Sequence, residues 1–439
     1  MSALHDIIGK RALELLPQWE RDFWKSEWEN MPTYCFYPDD HLGCQWEAPE
    51  KLPFYEKYCL MPNGKCVPHG LINSEWIAST FSEGADAENV ETIVRYYCNT
   101  VIRCLRERDV VDSARFAGTL GHFIQDACNL GHTVNNILLN QLFPSEGGKQ
   151  LFFHGALDSW PFSPEAITDA PQLMGTTEDE AVFMITETLM NRFAENNRIC
   201  IPFLNAINNE DRESANRYSQ SMNEAAVLYT ASVWHTLFCL AFDKVEDVDK
   251  APFQIRDLTD SQMILSYDRK FNREQFIDAG IPFYVTLYPN SDPCRARLAV
   301  SPYPYEPLLD YAIDAKNNRI PLMLRINGEV VSGKRGVAGS NYSVASFRVP
   351  GNLYGELEVT VGVHPMSSTN GEMVVGIWCH EAQEKLLAKG TTTRDGEALH
   401  FSVELPENCR TISLVSAGVP GEKSVVWMEP KLKSRMHAE

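Results

Sequence analysis

The stretch GTLGHFIQDACNLGHTVNN, residues 118–136, places two histidines and an aspartate among apolar residues. His122 and Asp126 are four residues apart, so on a helix both side chains project from one face and can bind a common cation. The same spacing also suits a core histidine that is only capped by or salt-linked to the aspartate. The pair alone therefore leaves a metal site and a core ion pair as open alternatives.

A second stretch, FFHGALDSW, repeats this spacing with His154 and Asp158, and His132 lies between the two pairs. Imidazole and carboxylate are the ligands that zinc takes in catalytic sites, and several carboxylates around one locus favour more than one ion. The repeated spacing therefore predicts a zinc centre rather than an isolated ion pair.

The elements that would position these residues change character along the chain. The apolar spacing from Ser2 to about Phe242 is mostly helical, as in ENVETIVRYYCNTVIRCLRER. After an acidic linker near residues 243–252, apolar and polar residues alternate between Asn, Gly and Pro turns, as in GELEVTVGVH. The sequence predicts an α+β multidomain chain with an all-helical domain at 1–245, a β-rich intervening region of unreadable role at 253–319 and a β-sandwich at 320–432.

The charge balance restricts the partners of the protein. With 39 Lys and Arg against 59 Asp and Glu, the net charge is -20, which opposes tight binding to a bare phosphate backbone or an anionic membrane. A phosphate ligand would therefore need a local positive source such as a bound metal. No apolar run approaches the roughly 18 residues of a spanning helix, and no signal-peptide pattern opens the chain. We expect a soluble chain with no transmembrane segment.

The stretches LGHFIQDACNLGHTVNN and HGALD together resemble the H-x3-D-x5-H…H-x3-(D/E) signature of the zinc-dependent phospholipase C and fungal single-strand nuclease superfamily. The resemblance covers residues 2–242 and implies an all-helical domain in which two to three zinc ions share a cleft. By this resemblance, Asp126 bridges two zinc ions beside His122. The ligands of the more exposed zinc would be His132, His154 and Asp158.

The resemblance also assigns ligands outside this signature. His5 matches the histidine of the first helix that binds the third ion. Two ligands fall in a less regular stretch, where YPDDHLG offers Asp39 and CVPHG offers His69. Asp40 remains an alternative to Asp39, and His41 an alternative to His69. Asp39 is also the catalytic candidate, because it could orient or deprotonate the attacking water.

One departure from the family concerns the start of the chain. Relatives begin, after signal removal, with a tryptophan whose amine and carbonyl bind zinc beside the first histidine. Here Met1 precedes Ser2 and His5, which puts the third zinc ion in question. The resemblance implies a secreted or extracellular location, although the chain shows no signal peptide.

The reaction implied by the resemblance is hydrolysis of a phosphoester P–O bond. A phospholipid or other phosphodiester would be the substrate of a phospholipase C, and nucleic acid the substrate of a nuclease or nucleotidase. The sequence lacks the basic-aromatic interleaving that follows a single strand, and a β domain follows the helical one, as in the clostridial toxins. Both features favour the phospholipase C type. A non-catalytic binding protein whose helical domain holds metal for structure is the alternative from another class.

The region from about 320 to 432 resembles a second kind of module. Its strand segments, among them SVASFRVPG and LHFSVELPENCRTISLVSAG, run in the order found in a carbohydrate-binding module that stands beside glycosidases. This resemblance implies a jelly-roll-like sandwich and a carbohydrate ligand. Trp378, Trp427 and Tyr354 could stack on a sugar ring, with core packing as the alternative.

Other histidines and cysteines are interpreted as structural. His235, in SVWHTLF, is predicted to be a core histidine because it sits in an apolar helix. Apolar helical patterns also predict buried thiols, at Cys98, Cys104 and Cys239. Four further cysteines lie in a Pro-rich stretch that we interpret as a loop: Cys35, Cys44, Cys59 and Cys66. Disulfides could form there in an oxidising compartment.

Overall fold

The structure is a computed structural model that describes residues 4–60, 87–133, 157, 160–245, 249–261, 263–264, 308–314, 316, 318–339, 342–368, 370–384, 386–418 and 425–435. The chain divides into two compact units, Met1–Val248 and Asp249–Glu439. The described part of the first unit is helical and that of the second is mainly antiparallel sheet, so the predicted order of a helical region before a β region is confirmed. Among the described helices, none combines the length and the apolar character needed to cross a bilayer.

Ten α-helices are described in the first unit. They are α1 (Leu4–Leu15), α2 (Gln18–Phe23), α3 (Met31–Tyr34), α4 (Tyr37–Glu47), α5 (Leu52–Cys59), α6 (Ala87–Arg106), α7 (Val110–Cys128), α8 (Leu130–Thr133), α9 (Glu178–Asn208) and α10 (Arg212–Ala241). A short helix, α11 (Ala251–Gln254), opens the second unit.

Side-chain caps fix where the longest helices begin. Asp109, Thr177 and Asp211 precede α7, α9 and α10, and each accepts a hydrogen bond from the backbone N–H three residues further on. Such a cap satisfies one of the N–H groups that the first turn leaves without a helical partner. The capped starts therefore set the register in which α7 presents its polar residues.

Helix α7 runs through the interior of the helical unit. From Ser113 to its end at Cys128, every residue except Arg115 is buried. A helix that is covered on all sides packs against neighbours around its whole circumference. The polar side chains between Ser113 and Cys128, other than that of Arg115, therefore lie in the protein core.

The first part of the chain is more helical than its sequence suggests. The Pro-rich stretch that was expected to be irregular forms α3, α4 and α5, each with a proline at its first or second position. Proline is tolerated there because those N–H groups have no helical acceptor. Cys35, Cys44 and Cys59 are buried on or next to these helices, so the interpretation of this stretch as a loop is wrong. Cys66 lies outside the described residues.

The second unit contains two antiparallel sheets with the features of a β-sandwich. One sheet has the order β13-β10-β15-β8-β3, with β1 also paired to β15, and the other has the order β12-β11-β14-β9-β2. Two hairpins, β4-β5 and β6-β7, complete the described strands. Their bounds are β1 (Ile255–Asp257), β2 (Met263–Ile264), β3 (Leu308–Leu309), β4 (Ala312–Ile313), β5 (Arg319–Ile320), β6 (Leu322–Ile326), β7 (Glu329–Gly333), β8 (Gly336–Gly339), β9 (Tyr342–Arg348), β10 (Tyr354–Val363), β11 (Met373–Cys379), β12 (Leu386–Thr392), β13 (Leu399–Glu404), β14 (Thr411–Gly418) and β15 (Val425–Ser434).

Early strands of this unit join its late ones. β1 and β3 belong to one sheet and β2 to the other, so the described parts of residues 253–319 contribute strands to the same two sheets. The aromatic residues considered for sugar stacking, Trp378, Trp427 and Tyr354, are buried. They pack in the core, and the stacking alternative is wrong for all three.

Candidate metal centre

The first two residues of the centre come from the buried helix α7. His122 and Asp126 are 0% and 1% exposed. Their spacing of four residues places His122 Nε2 3.1 Å from Asp126 Oδ2. The helical geometry expected from the sequence is therefore present.

Two more imidazoles reach the same carboxylate from other elements. His5 on α1 places its Nε2 3.4 Å from Asp126 Oδ1, and His132 on α8 places its Nε2 3.3 Å from the same oxygen. Among the described residues, neither oxygen of Asp126 accepts a hydrogen bond of good geometry. One buried carboxylate thus lies among three imidazole nitrogens.

The turn between α7 and α8 brings His132 back toward Asp126. Asn129 leaves the helical conformation, and its side-chain oxygen accepts the N–H of Gly131 at 2.8 Å. The short helix α8 begins directly after Asn129, so His132 follows Asp126 by six residues but lies on a different helix. The sequence spacing alone does not predict that the chain brings His132 back to Asp126.

The outer nitrogens of two imidazoles are held by the surrounding protein. His122 Nδ1 donates to the backbone carbonyl of Cys35 at 2.7 Å, and His5 Nδ1 lies 2.7 Å from Gln125 Oε1. The Gln125 amide nitrogen in turn donates to the Cys35 sulfur. Partners of this kind fix the ring orientation of metal-binding histidines. They direct both Nε2 atoms toward Asp126.

Asp39 lies at the more exposed side of the cluster. It is on α4, and its Oδ1 is 3.9 Å from His122 Nε2. His5, Asp39 and His122 each offer one ligand atom, and these three atoms all lie within 4.8 Å of one another. The neighbouring Asp40 instead accepts a hydrogen bond from the Tyr55 hydroxyl at 3.3 Å. Of the two adjacent acids, Asp39 is therefore the one placed with the imidazoles.

Three predicted ligands, His69, His154 and Asp158, lie outside the described residues. His41, the alternative to His69, is buried on α4, and burial lowers the pKa of its imidazole. The structure thus brings together His5, Asp39, His122, Asp126 and His132, from four helices of the first unit.

The electrostatics of the cluster follow from its burial. Burial lowers the pKa of His5, and the neighbouring His122 lowers it further. Burial also acts to lower the pKa of His122, but the charges of Asp126 and Asp39 outweigh it and raise that pKa to about 9. Burial would raise the pKa of Asp126, yet His122 and His132 hold it well below its usual range. The buried carboxylate stays ionised and requires positive charge beside it.

The histidine predicted as a core residue has an ionic partner. His235 Nδ1 lies 2.7 Å from Glu20 Oε1, and Glu20 is fully buried. The Cys239 sulfur is 3.7 Å from both nitrogens of the ring. Sequence reasoning missed Glu20, because no local pattern links two residues that lie 215 positions apart.

No protein-family model matches the chain, and no curated protein matches it. Solved structures with a likeness to its C-terminal region include several carbohydrate-binding modules. CBM51 from Clostridium perfringens GH95, solved in complex with methyl-galactose, is 22% identical over 29% of this chain and 88% of its own, with a TM-score of 0.25. The tandem CBM51 modules of the family 98 glycoside hydrolase from Streptococcus pneumoniae are 20% identical over 30% of this chain, with a TM-score of 0.25, and the match spans 41% of their length. A non-crystalline cellulose specific module, CBM28, is 10% identical over 28% of this chain and 86% of its own, with a TM-score of 0.19.

Proposed function

We propose that the helical unit is a zinc-dependent phosphoester hydrolase of the phospholipase C type. The observation that carries the proposal is the convergence of three imidazole Nε2 atoms on the buried carboxylate of Asp126, at 3.1 to 3.4 Å. The H-x3-D-x5-H signature adds the resemblance to a superfamily with this chemistry.

The donor set suits zinc. Imidazole nitrogen and carboxylate oxygen are its usual ligands in catalytic sites, and the outer nitrogens of His122 and His5 have the partners that metal-binding histidines need. The oxygens of Asp126 accept no hydrogen bond of good geometry within the described chain, so they offer lone pairs to a cation. When bound, zinc supplies concentrated positive charge for a phosphate ester and lowers the pKa of a nearby water.

The residues of the chain would divide the work by their position. Asp126 would offset positive charge at the buried end, and His5, His122 and His132 would bind the metal through their Nε2 atoms. Asp39 is partly exposed, so it can accept a proton from a water molecule that approaches from the open side. In this arrangement Asp39 would act on the reacting water and would also be one of the metal ligands, with His5, His122, Asp126 and His132.

A phospholipid is the substrate we favour, because the net charge of -20 opposes binding of a long polyanion by surface charge. We propose further that the β unit is a jelly-roll-like carbohydrate-binding module, because its strand segments follow one another in the order found in such modules. We also propose that the protein acts outside the cell. Binding of monosaccharides to the full chain, followed by calorimetry, tests the second part of the proposal.

The test of the hydrolase combines metal analysis with three substrates. Purified protein is assayed on phosphatidylcholine, single-stranded DNA and a generic phosphodiester, with and without a chelator. We expect bound zinc and chelator-sensitive hydrolysis of phosphatidylcholine. Preferred hydrolysis of DNA would assign a nuclease instead, and bound metal without any hydrolysis would show a structural centre.

Variants separate the roles of individual residues. His122→Ala and Asp126→Ala should lose bound zinc and activity together, whereas Asp39→Asn should lose activity by a factor of about 100 or more and keep most of the zinc. His235→Gln is the matched control, because it alters a partly buried histidine of the same unit and keeps a donor for Glu20. Full activity of His122→Ala and Asp126→Ala would refute the assignment.

A further inference from the structure

Two buried cysteines meet at one end of the sheet that contains β11 and β14. Cys379 is the last residue of β11, and Cys409 lies two residues before β14 begins at Thr411. The sulfur atoms of both cysteines and a carboxylate oxygen of Glu381 all lie within 4.8 Å of one another. Both cysteines are buried free thiols in this structure.

Backbone hydrogen bonds hold the two segments beside each other. The N–H of His380, next to Cys379, donates to the carbonyl of Thr411 at 3.1 Å. The carbonyl of Cys409 accepts the N–H of Gly351 at 2.6 Å, and the N–H of Cys409 donates to Pro406 at 2.9 Å. Both thiols therefore sit on backbone that is fixed on each side.

The nearby carboxylate already has a structural role. Glu381 Oε2 accepts the backbone N–H groups of Arg410 and Thr411, both at 3.0 Å. It thereby caps the turn that leads into β14. A structural zinc site takes four ligands. This group of described residues offers three, and one of them, the Glu381 carboxylate, already accepts two backbone N–H groups. The arrangement therefore favours a bond between the two sulfurs over a shared metal ion.

We infer that Cys379 and Cys409 form a disulfide that joins the end of β11 to the turn before β14. The sulfurs need to approach by at most about 3 Å to reach the S–S distance of ~2 Å. The oxidant is a low-molecular-weight disulfide. In the first step the Cys379 thiolate attacks one sulfur of this disulfide, forms a mixed disulfide and releases one small thiolate. In the second step Cys409 loses its proton and attacks the Cys379 sulfur of the mixed disulfide, which releases the other small thiolate. Two protein thiols are oxidised, and one external disulfide is reduced to two thiols.

The surroundings of the pair favour this order of attack. The neighbouring Cys409 thiol lowers the pKa of Cys379 against the effect of burial, and the N–H groups of Glu381 and Ala382 lower it further. The Cys379 thiol and burial together raise the pKa of Cys409 well above its usual range. Of the two thiols, Cys379 is therefore the one that loses its proton more readily.

The experiment uses the full chain equilibrated with reduced and oxidised glutathione, blocked with iodoacetamide and digested with trypsin. The two cysteines fall in separate peptides, because Lys385, Lys389 and Arg394 lie between them. We expect a cross-linked pair of peptides that contain Cys379 and Cys409, and that separate on reduction. The oxidised protein should also unfold at a midpoint at least about 5 °C above that of Cys409→Ser in the transition of the β unit.

Cys200→Ser is the matched control, because Cys200 is a buried free thiol in the helical unit. It should keep both the cross-link and the higher midpoint. Recovery of both peptides fully alkylated from oxidised wild-type protein would overturn the inference. So would stoichiometric zinc that Cys379→Ser or Cys409→Ser loses and Cys200→Ser retains. The peptide analysis needs only wild-type protein, so it stands even if a variant fails to fold.

Discussion

Replacing Asp126 with asparagine removes one buried charge and keeps the shape of the side chain. In metal-free protein this charge is the main influence that raises the pKa of His122, to about 9 from an ordinary value near 6.5. Burial acts in the opposite direction on the same imidazole. Once Asp126 is neutral, burial is opposed mainly by Asp39, whose oxygen is 3.9 Å away, and by the carbonyl of Cys35.

We therefore expect the pKa of His122 to fall by at least about 2 units in Asp126→Asn. One unit corresponds to about 1.36 kcal/mol, so the imidazolium loses roughly 3 kcal/mol of favourable interaction. Because the pKa is raised in the folded protein, this stabilisation is complete below about pH 6.5 and is lost as the pH rises through about 9. Loss of a residue that only hydrogen-bonds to a metal ligand lowers metal affinity by ~10 to 100-fold. Asp126 is itself a proposed ligand, so zinc affinity should fall by more than this in Asp126→Asn.

Imidazole nitrogen chemical shifts of chelator-treated protein, recorded from about pH 5 to 10, give the pKa of His122. Competition with a chromophoric chelator gives the zinc affinity. Asp112→Asn is the matched control, because Asp112 lies on the same helix and pairs with Lys57 at the other end. The reasoning is refuted if His122 still titrates near pH 9 in Asp126→Asn, or if Asp112→Asn shifts it equally.

Three further outcomes are expected. Gly118→Ala should destabilise the helical unit by ~1 to 3 kcal/mol in denaturant unfolding, because the added Cβ would lie 2.4 Å from the Cβ of Tyr34. Gly43→Ala is the control: no atom lies within 4 Å of its added Cβ, so it should be neutral or slightly stabilising. Burial lowers the pKa of His235, but Cys239 and Glu20 outweigh it and raise that pKa to about 10. His235→Gln should therefore lower the midpoint of thermal unfolding most at or below about pH 6.5, and the difference from wild type should vanish as the pH rises through about 10. A constant difference across this pH range would contradict the prediction. A chelator should lower the calorimetric transition of the helical unit by several degrees and leave that of the β unit unchanged, and equal shifts of both would count against a centre confined to the first unit.

The parts of the centre that the sequence predicts are those that depend on helical periodicity. His122 and Asp126 share one face of α7 because residues four apart do so in any α-helix. The change from helical to alternating spacing likewise agrees with the observed order of a helical region followed by a β region. Both patterns are local, so they can be recognised without knowledge of the tertiary structure.

The parts that the sequence does not predict depend on contacts between distant segments. The Cys35 carbonyl is 87 residues from His122, and a backbone group leaves no trace in residue types. The stretch around Asp39 was expected to be irregular because of its prolines, yet Pro38 lies in the first turn of α4, where it helps the helix to begin. Pro202 is inside α9, which continues to Asn208 because tertiary packing outweighs the lost hydrogen bond.

The packing around α7 connects these distant contacts to the chemistry. A Cβ at Gly118 would lie 2.9 Å from the carbonyl carbon of Tyr34, so only glycine allows the chain at α3 to come so close. This approach puts the next carbonyl, that of Cys35, 2.7 Å from His122 Nδ1, and the bond directs His122 Nε2 to Asp126. Well-packed apolar residues of similar volume are often as stabilising as buried charges, or more so. A carboxylate placed among three imidazoles is therefore not explained by folding stability alone, and under the proposed function the arrangement serves cation binding.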